Sequence, residues 1–194
     1  MTDGIGEVTT ARLRLVPMGA GDIDDVWRML QRPDVRRFLC DDKLLPRLFV
    51  EALVAENTRL APARLGLRII RDGQGFCGFA GIKPVSAEIA ACIPPFRDDL
   101  EASVALEPRC WELGYATEAL AALIAAWHAL GTGRRIVAVA DAPNARSRRM
   151  LERLGFVATG VHGGSHYPLV AYEPATAARG GRGNSDRSIS GKSA

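Results

Sequence analysis

The sequence predicts a mixed α/β fold: one sheet flanked by helices in a single unit. Three observations carry this. The apolar period switches between two and 3.6 residues along the chain, glycine and proline mark the switches, and no segment repeats. The predicted order is strand, two helices, three or four strands, helix, strand, helix, two strands. That order suits a mixed sheet better than a chain of repeated βαβ units.

Each element has its own signal. Arg12–Met18 alternates and reads as a first strand. Ile23, Val26, Trp27 and Leu30 recur at helical spacing, Asp22 stands at the N-cap position, and Pro33 ends or bends that helix. A second helix follows over 45–60, with Leu45, Phe49 and Leu53, joined by Val50 and Val54, as its apolar face. "LGLRIIRD" and "FCGFAGIKPV" flank "GQG" and form a hairpin. Residues 86–95 fit either a strand or a loop. Leu100–Pro108 is a strand, "GYATEALAALIAAWHAL" an apolar helix and "RRIVAVAD" a buried strand. "ARSRRMLERLGF" is a short helix stopped by Gly155. "FVATGVH" and "YPLVAYE" supply the last strands.

Composition narrows the function classes. Apolar residues make up 47% and charged residues 24% of 194, as in an ordinary globular domain. No apolar run reaches the roughly 18–20 residues of a membrane span, and the first residues lack a secretory h-region. A cytoplasmic protein without membrane contact is therefore expected. The net charge of +3 resides in the stretch from Arg179 onward, where four cations face one anion. The remainder is neutral, which argues against a nucleic-acid partner. The expected organisation is a flexible start (1–8), one domain (9–174) and a basic, disordered tail (175–194). Cys40, Cys77, Cys92 and Cys110 form no C-x-x-C pair. They read as buried, reduced thiols, and no metal is expected.

Two motifs carry chemistry, and a third does not. "GQGFCG" matches the dinucleotide fingerprint in letters, but a strand follows it where that fingerprint needs a helix. In "RCWELGYATEAL" a strand ended by Pro108 leads through Gly114 into a helix with no serine or aspartate cap. The free N–H groups and positive dipole end of that first turn suit a phosphate or diphosphate. A plain helix start, with Gly114 serving the turn, explains the same letters. Glu112 suits a phosphate only if it points to solvent. In "DAPNARSRRMLERLGF" Asn144 caps the next helix, and Ser147 falls on the apolar face with Met150, Leu151 and Leu154. Arg148, Arg149, Glu152 and Arg153 largely take the other side. An inward serine near a helix start bonds locally or faces a ligand.

These stretches, "TARLRLVPM", "LEASVALEPRCWELGYATEAL" and "VAVADAPNARSRRMLERLGF", resemble the GNAT superfamily of N-acetyltransferases over about residues 9–173. The likeness is to the branch that includes bacterial acetyltransferases of ribosomal-protein N-termini. It implies a mostly antiparallel, splayed sheet of about 6–7 strands with about 4 helices, and acetyl-CoA as acyl donor between the two central strands. It places the diphosphate on the backbone of Trp111, Glu112, Leu113, Gly114, Tyr115, Ala116 and Thr117. Trp111 replaces the family's usual Arg or Gln, and Glu112 a common glycine. It further implies that Asn144 bonds the pantetheine arm, that Ser147 stands near the thioester sulfur, and that amides of Val104, Ala105 and Leu106 line the donor.

The implied reaction is direct attack by a primary amine on the thioester. At neutral pH about one α-amine in ten is unprotonated, but only about one lysine in a few thousand, so a base is useful. Glu101 is the candidate base, where the branch carries a glutamate in an E-I-G-Y-like run; here the run is Glu101-Ala102-Ser103-Val104. Ser147 is the candidate acid for the thiolate. His162 and His166, flanking "GGS", are further candidates for proton transfer. The acceptor is a small-molecule or peptide amine, and the chain a monomer or homodimer. The alternative is a non-catalytic acyl-CoA-binding or interaction module of the same fold.

Overall fold

The computed structural model describes residues 6–175, so most of the expected flexible start and nearly all of the basic tail lie outside the described residues. Eight strands form one sheet: β1 (Val8–Thr9), β2 (Arg14–Pro17), β3 (Gly66–Asp72), β4 (Gly75–Pro84), β5 (Leu100–Leu106), β6 (Ile136–Asp141), β7 (Phe156–His162) and β8 (Leu169–Pro174). Their order is β1-β2-β3-β4-β5-β6-β8-β7. Six α-helices accompany them: α1 (Ile23–Gln31), α2 (Pro33–Arg36), α3 (Arg47–Leu60), α4 (Ala87–Cys92), α5 (Tyr115–His128) and α6 (Ala145–Arg153). The expected class holds. The additions are the two-residue β1 and the short helices α2 and α4, all below the length at which periodicity shows.

All strand pairs are antiparallel except β5 with β6, which meet only at Leu100↔Ile136 and Glu101↔Val137. Beyond that point β5 stays with β4, and β6 turns to β8. The sheet therefore parts just after Glu101, as the expected splay requires.

One face of the sheet is covered by α5 and α6. Ala119, Leu120, Leu123 and Trp127 of α5 pack with Leu100, Ala102, Leu106, Ile136 and Ala138. Each fully buried Leu or Ile there contributes about 1.5–3 kcal/mol of transfer free energy. On the other face, Val26, Met29 and Leu30 of α1 and Val50 of α3 pack on Leu67, Ile69, Phe79 and Ala105.

Several local expectations change. Phe49 of α3 is exposed, and the buried stripe runs through Val50 and Asn57 instead. The cause is polar: Asn57 Nδ2 donates to Met18 O at 3.0 Å, and its Oδ1 accepts from Leu67 N at 2.5 Å. That buried bridge sets the helix rotation. Asp22 occupies the N-cap position of α1, but its carboxylate accepts from Gly19 N and pairs with Arg71 rather than capping the helix. Residues 86–95 hold neither strand nor plain loop. Ser86 Oγ accepts from Ile89 N and caps α4.

Cys77 and Cys110 are buried, Cys40 is half-buried and Cys92 is exposed, which corrects the expectation of four buried thiols. The "GQGFCG" glycines serve the β3–β4 turn and an irregularity in pairing at Ile70/Arg71. Gly78, at φ +137°, lies so close to Ala105 O that a Cβ would overlap it. A tight strand approach, not a nucleotide, explains that run.

Candidate active site

A cleft of about 1230 Å³ opens where β5 and β6 part. One wall is the end of β5, the following loop and the first turn of α5; the second is the start and outer face of α6. The third comes from α2 and the turn after it, including Asp34, Arg37, Phe38 and Leu39.

The loop before α5 has an unusual backbone. Glu112 (φ +65°) and Gly114 (φ +80°) are both left-handed, and α5 starts with no side-chain cap. Glu118 N bonds to Gly114 O, as a first full turn must. The N–H groups of Glu112, Leu113, Gly114, Tyr115, Ala116 and Thr117 find no acceptor among the described residues. A turn that interleaves left-handed residues can aim successive N–H groups into one concavity, and the helix adds its positive end. A backbone turned this way is able to cradle an anion.

Glu112 does not spoil it. Its side chain is 75% exposed and pairs with Arg146 at 3.1 Å. Arg146 in turn lies 4.9 Å over the Trp111 ring, and Trp111 Nε1 donates to Leu106 O at 2.8 Å. Thus Trp111 fastens the loop to the end of β5.

A second fastening was not legible in the sequence. Arg12 Nε donates to Glu118 Oε2 at 2.7 Å, its guanidinium donates to Leu113 O at 2.9 Å, and it lies 4.8 Å over the Tyr115 ring. Thr10 Oγ1 donates to Glu118 Oε1 at 2.5 Å. Burial alone would raise the Glu118 carboxyl, but the bonds from Thr10 and Arg12 outweigh it and hold it below its ordinary value. The chain before β2 thereby ties down the cradle over 100 residues away, a contact with no local signature.

On β5 the backbone alternates. Leu100 N bonds across to Arg135 O, and Glu107 N bonds to Cys77 O on the β4 side. By that alternation Val104 and Leu106 turn their N–H groups to the cleft, and Ala105 turns its own to β4. Asn144 and Ser147 both line the cleft. Asn144 Oδ1 accepts from Ser147 N at 3.1 Å, so it caps α6 and leaves its amide NH2 for a ligand. The polar side of α6 also meets the cleft, where Arg146, Arg149 and Arg153 form wall. Arg148 instead turns in to Tyr172 OH and Ala142 O, at 3.2 Å each.

Glu101 is not part of that cleft wall. It lies at the vertex of the splay on the sheet face opposite α5, only 8% exposed. Lys83 Nζ is 3.6 Å from Glu101 Oε2, and neither that oxygen nor Ser103 Oγ has a hydrogen-bond partner among the described residues. Burial pushes the Glu101 carboxyl above its ordinary range, while Lys83 pulls the other way.

The β7–β8 loop closes against the segment after α2. Ser165 Oγ donates to Asp41 at 2.6 Å, and the Tyr167 ring lies tilted against Phe38 with centroids 5.7 Å apart. His166 packs edge-on against Tyr167. His162 ends β7 beside Gly160, and its ring would lie 3.1 Å from a Cβ there. Asp141, at the end of β6, is pushed up to about 6 by burial and the Asp41 charge, with His166 opposing.

Asp72, Cys77 and Cys110 bring ligand-type atoms within 4.8 Å. Arg109 already occupies the carboxylate, and burial pushes the Cys77 thiol up to about 12, so these groups suit an internal ion pair better than a metal. No helix among the described residues is long and apolar enough to cross a membrane.

A mixed sheet that parts beyond a short parallel contact, with open backbone N–H groups at its mouth, defines the class as an α/β fold with a cleft at the splay. Residues 12–157 match the acetyltransferase (GNAT) domain profile, and the chain belongs to that family. No curated protein shows significant sequence similarity to it. Solved structures do. A protein described as a GnaT-family acetyltransferase from Bordetella pertussis superposes with a TM-score of 0.73 at 25% identity, covering 87% of this chain and 98% of its own. RimL, a ribosomal L7/L12 α-N-protein acetyltransferase in complex with coenzyme A, gives 0.70 at 14% identity, with 87% and 98% covered. The Salmonella typhimurium acetyltransferase that modifies the N-terminal serine of L7/L12 gives 0.67 at 15%, with 84% and 94% covered. The last two show shared fold alone, and they match the branch the sequence resembles.

Proposed function

We propose that this protein transfers an acetyl group from acetyl-CoA directly to a primary amine, either a peptide N-terminus or a small molecule. The observation that carries the reading is the run of unpartnered N–H groups from Glu112 to Thr117 at the mouth of the cleft. A diphosphate would satisfy them at once. Coenzyme A bound to a RimL of the same fold supports the donor, and the two L7/L12-modifying neighbours support a peptide N-terminus as acceptor.

In this reading the N–H groups of Glu112–Thr117 hold the diphosphate, Trp111 N being taken by Pro108 O, and the Asn144 amide bonds the pantetheine arm. Val104 and Leu106 aim their N–H groups at the thioester oxygen, where negative charge develops during attack. Glu101 takes the amine's proton. Its raised carboxyl moves its pKa toward the working pH, where a base is more effective. Its Oε2, near Lys83 but without a hydrogen bond, leaves an acceptor site for an N–H. Ser147 Oγ, whose backbone is fixed by Asn144, donates to the departing thiolate. Both substrates are held together, and their orientation replaces an acyl-enzyme step.

The test is thiol release from acetyl-CoA over a panel of amines, including peptides with a free N-terminus. Turnover is expected with at least one class. Glu101→Gln should lower kcat/KM by about 100-fold while the CoA affinity stays unchanged. Equal turnover by that variant would remove Glu101 from the chemistry. Failure of the native chain to bind CoA would overturn the whole reading.

A further inference from the structure

Helix α6 carries four arginines, and their partners differ. Arg148 is turned inward onto Tyr172 OH and Ala142 O. Arg146 is spent on Glu112 and the Trp111 ring. Arg149 and Arg153 also line the cleft, yet neither makes an ion pair or hydrogen bond to any described residue. They are four residues apart, so their side chains rise from one helix face about 6 Å apart. Like charges at that spacing repel and weaken a helix. Arg153 recovers something from the helix C-terminus, where a cation is favoured, but Arg149 in mid-helix does not. The pair thus brings a structural cost with little structural return, and it faces the cleft in which the nucleotide carrier is proposed to lie.

Two guanidinium forks on one wall match a phosphomonoester, which carries nearly two charges and three acceptor oxygens. The cradle before α5 accounts for a diphosphate with backbone N–H groups and leaves these cations unused. Coenzyme A bears one further phosphate, on the ribose 3′ oxygen. We propose that Arg149 and Arg153 bind that 3′-phosphate and make the protein select coenzyme A over carriers without it, such as 3′-dephospho-CoA or a phosphopantetheine arm. The inference rests on the acetyl-CoA reading above and adds the discriminating group.

The experiment is calorimetric titration of the full chain with CoA and with 3′-dephospho-CoA, at low and physiological salt. The native chain should bind CoA about tenfold more tightly, with the advantage shrinking as salt rises. Arg149→Gln with Arg153→Gln should bring the two affinities within about twofold, by weakening CoA and leaving 3′-dephospho-CoA where it was. Arg28→Gln with Arg59→Gln, removing two exposed charges from α1 and α3, should keep the native ratio. Because the readout is a ratio between two ligands on one protein, a general loss of stability does not imitate it. Equal native affinities would overturn this proposal and leave the acetyl-CoA reading standing. A double variant that weakens both ligands alike would overturn it too, since the arginines would then serve a shared part of the carrier. If the native chain bound neither ligand, both proposals would fall together.

Discussion

The two helices that open onto the cleft begin in opposite ways. At α6 the chain satisfies most of its first turn itself: Asn144 Oδ1 takes Ser147 N, Pro143 O takes Ala145 N, and Asn144 O takes Arg148 N, leaving Arg146 N. At α5 it does not, and the loop before it holds Glu112 and Gly114 in left-handed conformations while their N–H groups stay open. Such a backbone has a cost of order 1 kcal/mol for a non-glycine residue. The fold offsets that cost with Arg12, Glu118 and Trp111. The contrast teaches what each helix start has to offer. One that closes most of its own hydrogen bonds presents side chains to the cleft, and one held open by distant side chains presents backbone.

Changes on the two sides should therefore separate. The largest effect is expected at Gly114→Val, which puts a β-branched residue at φ +80°. CoA affinity should fall by about 100-fold, with a stability loss of about 1–2 kcal/mol. Calorimetry and thermal unfolding read the two numbers, and a normal CoA affinity would break the comparison. Asn144→Ala should reverse the balance. Losing the α6 cap costs about 1 kcal/mol, or about 2–4 °C in Tm, while CoA affinity drops only a few-fold.

Asp141, just before α6, gives a smaller effect with a distinct pH signature. Burial and the Asp41 charge push its carboxyl up to about 6 in the folded chain, against about 3.9 when unfolded. The folded chain thus holds that proton more tightly, and stability is lost as pH rises from about 4 through 6. Asp141→Asn should raise stability by up to about 1 kcal/mol above pH 6, after allowing for solvent screening, and by nothing below pH 4. A denaturation series across that range checks it. The smallest effect is expected at Glu112→Gln. It breaks an exposed ion pair with Arg146, so stability should move by less than about 0.5 kcal/mol, and CoA affinity should rise slightly as a negative charge leaves the cradle.

Much of this was legible before any coordinates. Gly114 opening an uncapped helix, and Asn144 with Ser147 three residues on, are local patterns. Local patterns survive in a one-dimensional reading, and so did the strand order. The rejection of "GQGFCG" as a nucleotide site also rested on a local fact, the strand that follows it. What stayed hidden depends on partners far apart in the chain. Nothing in "TARLRL" announces that Arg12 will meet Leu113 O and Glu118. Nothing around Phe38 announces a cleft wall under Tyr167. The α3 face was misjudged for a similar reason. Counting apolar residues favours Phe49, but two backbone groups, on Met18 and Leu67, needed Asn57 inside. Short elements such as α4 escaped because six residues are too few to display a period.

The bridge between β5 and β6 has a mechanical consequence. It is two residue pairs long, at Leu100–Glu101 and Ile136–Val137, with continuous ladders on either side. The sheet is thus two stiff plates welded along one short seam. Beyond the seam no ladder spans the gap, so its width is set by side chains: the core that α5 buries against both β5 and β6.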